Sequence, residues 1–140
     1  MKSAKYCHCK KERRMRIFDK TKYADQPDTH IRRVIEKLAT LGPAVVAVRG
    51  QVFSANLRGT IYVGEDGGDP VLRVEGCHCH IHVMWDKIHA YVLEREDVGY
   101  GAEPVVYLID EGAEPIVNLF YPEKKYEEIE ALLNEMEQQE

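Results

Sequence analysis

At 140 residues the chain is sized for one domain with one substantial core, and is too short for two. A composition 44% hydrophobic and 31% charged excludes collagen-like, low-complexity and repeat architectures. The net charge of -5 is unevenly shared, because residues 1–22 hold nine Lys and Arg against Glu12 and Asp19, a basic arm on an acidic body; no nucleic-acid-binding signature accompanies it, so nucleic acid is not an expected partner.

Residues 1–27 lack an apolar period and read as an arm, partly disordered or used by a partner, ahead of a single domain over 28–140. No apolar run nears the roughly 18 residues that span a bilayer, and the arm has no apolar stretch of a signal peptide, so the expected compartment is the cytoplasm. Asp28 is a good N-cap, and Ile31, Val34, Ile35, Leu38 and Leu41 recur at helical spacing until Gly42-Pro43 stops them. Residues 44–49 then form an apolar strand that ends in Arg49. An unpaired guanidinium there is costly, so Arg49 either meets a structural carboxylate or faces an anionic ligand.

Residues 51–57 fit a strand or a short helical turn equally well, and 60–63 and 71–74 fit a hairpin through the glycine-rich turn 65–69. A histidine-bearing strand is expected over 76–85, and another strand over 88–94. Residues 96–103 form a loop bent at Gly99 and Gly101, and a second hairpin joins 105–109 to 116–121. Pro122 opens a last helix with Tyr126, Ile129, Leu132, Leu133 and Met136 on one face. The expected fold is α+β, a mostly antiparallel meander of six or seven strands with N- and C-terminal helices packed on one face of the sheet, the other face left to solvent, a ligand or a second subunit.

Four of the six histidines lie between His78 and His89. In an unbroken strand over 76–85, Cys77, Cys79, Ile81, Val83 and Trp85 take a core face, while His78, His80, His82 and Met84 take the other. Imidazoles at i and i+2 sit close enough to converge on one ion, with His78 or His89 as a further ligand. Such a row is either polar surface or a ligand set for zinc or haem iron. Cys77 and Cys79 point the other way. With Cys7 and Cys9 they form two CxC pairs, which could make a four-thiolate zinc site, although the spacing is not the CxxC of common zinc modules and small core positions are the commoner role of such cysteines. Nothing marks a base for a catalytic thiol. Tyr100, Trp85 and Met84 can wall a flat ligand or fill the core.

The helix ending in Leu41-Gly42, the strand ending in Arg49, the stretch His80-Ile81-His82-Val83-Met84-Trp85, the strand after it, the glycine loop and the final hairpin together resemble the haem-utilisation proteins of the HemS, ChuX and HutX type, over roughly residues 31–133. The resemblance implies a cytoplasmic, homodimeric haem-binding protein serving haem carriage or haem-iron utilisation. It implies His82 or His80 as the iron ligand and, where some members have histidine, Arg49 near a propionate or on the opposite side of the haem; Met84 and Tyr100 are the residues that would add surface to the pocket. A carrier is expected rather than an enzyme, with haem degradation left open because no motif records a reductant. The cysteine-bearing arm is foreign to the family pattern; it leaves room for a zinc or iron module built on HxH or the CxC pairs, or for thiolate ligation of the haem.

Overall fold

Helix α1 (Pro27–Leu38) follows the predicted apolar stripe, burying Ile31, Val34, Ile35 and Leu38, and a single 3-10 turn (Ala39–Leu41) carries the chain to Gly42. The computed structural model describes residues 16–19, 27–50, 52–75, 80–97, 102–112 and 114–138. Among them are nine strands: β1 (Arg16–Asp19), β2 (Ala44–Arg49), β3 (Ser54–Gly59), β4 (Ile61–Asp66), β5 (Asp69–Val74), β6 (His80–His82), β7 (Ile88–Asp97), β8 (Ala102–Asp110) and β9 (Pro115–Phe120). A 3-10 turn, Trp85–Lys87, precedes β7, and helix α2 (Tyr126–Gln138) ends the described chain.

The class is α+β with antiparallel pairing, as expected, but the strands divide between two sheets rather than forming one meander. Six make a large sheet in the order β1-β7-β8-β9-β2-β3, and three make a small one in the order β4-β5-β6. The division falls at Gly59 and Thr60. Gly59 has a φ of 151°, and a Cβ there would stand 2.8 Å from Val74 Cγ1 and 3.1 Å from the Glu75 carbonyl, so only glycine lets β3 pass this close to the end of β5. The Glu75 amide then donates to the Thr60 carbonyl at 2.7 Å, extending the β4–β5 ladder one step past Ile61 and Val74 to this junction.

Part of the arm is strand. Its residues Arg16–Asp19 pair with β7, Ile17 opposite Val92 and Phe18 opposite Tyr91, and so cover what would otherwise be a bare edge of the large sheet. Four residues are too few to show an apolar period, and the demand for a partner comes from β7. Residues 54–59 resolve as strand, since β2 provides a ladder along their whole length.

One core lies between the sheets and the helices. From the large sheet it takes Tyr91 and Leu93 of β7, Val106 and Leu108 of β8, and Val117 and Leu119 of β9; from the small sheet, Ile61, Leu72 and Val74. Helix α1 packs against β4, α2 and the turn Trp85–Lys87, and α2 adds Ile129, Leu133 and Met136. The buried Tyr121 hydroxyl donates to the Leu38 carbonyl at 3.3 Å, satisfying an end-of-helix acceptor from across the core. On its far side the large sheet carries a second, smaller apolar cluster of Ala47, Val105 and Phe120.

Candidate functional site

The histidine segment is not the continuous ten-residue strand its alternation implied. Among the described residues of that stretch His80–His82 pairs as strand, His80 opposite Arg73 and His82 opposite Val71, after which the chain leaves the sheet and turns at Trp85–Lys87. Trp85 is buried within that turn, and the alternation of faces holds through it: Val83 and Trp85 are buried, whereas His82 and Met84 are exposed. The imidazoles therefore sit on the outer face of the small sheet.

They do not sit there alone. The hairpin β4–β5 turns through Gly67 and Gly68, with φ of 62° and 94°, the two positive values that a tight two-residue turn of this hand demands. That turn fixes Asp66 opposite Asp69 at the end of β4. From there the Asp66 side chain reaches across β5 to both histidines: its Oδ2 lies 3.3 Å from His80 Nε2 and 3.6 Å from His82 Nε2. The two Nε2 atoms are 3.2 Å apart, with the rings edge to face at 4.9 Å between centroids. Asp66, His80 and His82 are the group that could hold a metal ion among the described residues. The third member is thus a carboxylate whose place in the sequence marks it only as part of a turn, while His89 belongs to β7 of the other sheet. Neither spacing nor periodicity marks Asp66, because it comes from two strands away.

Beside His82 a cavity of about 560 Å³ opens, lined by Asp69, Pro70, Val83, Met84, Trp85 and Asp86. Its walls are mostly apolar, and Met84 is 64% exposed along it. The indole N–H of Trp85 is buried with no hydrogen-bond partner among the described residues. A second cavity, about 370 Å³, lies on the far face of the large sheet between Glu94, Glu96, Tyr107, Ile109 and Asn118, where Tyr107 donates to Glu96 at 3.0 Å. Both cavities are lined by two carboxylates, and what separates them is that this one has no histidine in its lining.

No protein-family model and no curated protein matches the sequence. Solved structures do. ChuX aligns with 89% of this chain and 76% of its own at a TM-score of 0.62 and 11% identity. A protein from Erwinia carotovora aligns with 87% of this chain and 76% of its own at a TM-score of 0.67 and 10% identity. The holo form of PhuS, a haem-binding protein from Pseudomonas aeruginosa, gives a TM-score of 0.55 at 19% identity over 75% of this chain, which spans about a third (32%) of PhuS. The fold is HemS/ChuX-like.

Within that HemS/ChuX-like fold the expected site residues separate. His80, His82 and Met84 come together on the small sheet and its cavity. Arg49 ends β2 opposite Ser54, in the large sheet. Cys7, Cys9, Cys77, Cys79, His78 and Tyr100 lie outside the described residues. No described helix is long and apolar enough to cross a membrane.

Proposed function

We propose that this chain binds haem and serves haem carriage or haem-iron utilisation, with His82 as the iron ligand and His80 as its alternate. The observation that carries the proposal is an exposed strand histidine at the mouth of a 560 Å³ cavity walled by Pro70, Val83, Met84 and Trp85. Such a cavity suits a flat apolar ring, and a neutral imidazole is the usual axial donor to haem iron. Supporting it, ChuX and PhuS, which share the fold, are haem-binding proteins.

The residues fit the group chemically. Met84 and Trp85 offer polarizable and aromatic contact, and the unpartnered Trp85 N–H is a donor that an acceptor on the ligand would satisfy. Asp69 and Asp86 also line the cavity and repel carboxylates, so the propionate edge belongs on the side away from them. Arg49 as a propionate contact, Tyr100 beside the ring and a homodimeric assembly belong to the same proposal. Bound haem would supply the iron; the protein's part is to ligate it and shield one porphyrin face.

A hemin titration of the apo protein, followed by Soret absorbance, tests it. The expected result is a saturable one-to-one shift in the wild type that is lost in the His80→Ala/His82→Ala double variant. An equal shift in that double variant would overturn the ligand assignment, and the absence of a saturable shift in the wild type would overturn haem binding itself.

A further inference from the structure

We propose that Asp66, His80 and His82 form a binding site for a divalent first-row transition-metal ion in the haem-free chain. The proposal goes beyond haem binding and stands on the three side chains alone. Their donor atoms form a nearly equilateral triangle with edges of 3.2, 3.3 and 3.6 Å. A triangle of that size has a point about 2 Å from every corner, which is the bond length from zinc to imidazole nitrogen or carboxylate oxygen.

Hydrogen bonding accounts for the triangle poorly. Each Nε2 presents either one N–H or one lone pair, directed in the plane of its ring, and an N–H aimed at one corner of a triangle misses the other. Two N–H groups aimed at the carboxylate would leave the nitrogens face to face at 3.2 Å with no bond between them. A cation at the centre satisfies all three lone pairs together. Two imidazoles and one carboxylate form a borderline donor set, which selects zinc, cobalt, nickel or ferrous iron over magnesium or calcium.

The surroundings allow it. All three side chains reach solvent, so an ion can enter and keep water in its remaining positions. Arg73, directly across from His80, is engaged with the neighbouring backbone: its side chain lies over Gly64 and its guanidinium donates to the Glu65 carbonyl at 3.2 Å. Since the ion and haem iron would use the same His82 nitrogen, occupancy by one excludes the other.

Cobalt(II) added to the reduced, metal-free full-length chain is the test, because thiolate ligation gives cobalt an intense charge-transfer band that nitrogen and oxygen ligation lack. The expected result is one equivalent bound with visible d–d absorption that persists when Cys7, Cys9, Cys77 and Cys79 are all replaced by serine. In that background Asp66→Asn should weaken binding about tenfold or more, and His80→Ala/His82→Ala should abolish it. In the wild-type chain, the ring signals of His80 and His82 should broaden at substoichiometric cobalt while those of His30 do not, a readout that needs no variant to fold. Failure of these two rings to broaden selectively, or cobalt binding unchanged by the double histidine substitution, overturns the site.

Discussion

The two sheets of this molecule use the same α+β logic for opposite ends. The large sheet has long central strands, β7 and β8, and packs Tyr91, Leu93, Val106, Leu108 and Leu119 into a core roofed by two helices. The small sheet has six-residue strands and one of three residues, buries Ile61, Leu72 and Val74 inward, and leaves Asp66, His80 and His82 on its outer face. Most of the buried core side chains come from the first, and the candidate site lies on the second. The small sheet can carry a triad of polar groups that reach solvent because its inner face is already held by the shared core.

The largest effects should come from attacking the core under the large sheet. Leu93→Ala removes a fully buried side chain at the centre of β7 and is expected to cost about 2–5 kcal/mol of unfolding free energy in a urea titration. His80→Ala/His82→Ala, at one half-buried and one exposed position outside the core, should change the same quantity by about 0.5 kcal/mol or less. If the histidine pair proved as costly as Leu93, the division of labour between the sheets would be wrong.

A smaller but more local effect is expected at the joint between them. Gly59→Ala forces a side chain into a φ of 151° and against Val74 and the Glu75 carbonyl, which should cost about 1–3 kcal/mol. Hydrogen exchange would show where the damage goes: amide protection should fall first at Glu75, whose N–H bonds Thr60, and along β5, while β8 keeps its protection. Equal loss in both sheets would mean that the joint is not a boundary between them.

How much of this was legible in the sequence follows from how local each determinant is. Helix α1, the hairpin β4–β5, the hairpin β8–β9 and helix α2 are written in spacing and in turn residues a few positions apart, and all are present. So is the facing of His80 and His82, a consequence of the two-residue period. The division into two sheets was not legible, because it depends on how closely Gly59 passes Val74, residues fifteen apart whose proximity no periodicity records. The strand character of Arg16–Asp19 depends on the open edge of β7. Asp66 illustrates the same limit at the site. It reads as turn composition, and only the pairing of three strands shows that its carboxylate meets both imidazoles.

The smallest expected effect concerns a histidine that belongs to the structural half. His30 is buried on α1, where desolvation first, and then the positive charge of Arg33, lower its pKa, opposed by the negative charge of Glu137 on α2. The folded chain therefore keeps His30 neutral at a pH where the unfolded chain, titrating near its ordinary value of 6.5, has begun to take up the proton. Protonation then favours unfolding. The stability contributed by the neutral ring is complete above about pH 6.5 and declines as pH falls from there toward the lowered folded value. His30→Gln removes the titrating group, so the urea midpoint of the variant should fall less steeply than that of the wild type across this acid window, whatever the offset between them at pH 8. Parallel slopes would show that His30 binds its proton equally well in both states, and the acid sensitivity would then have to come from elsewhere than the α1–α2 contact.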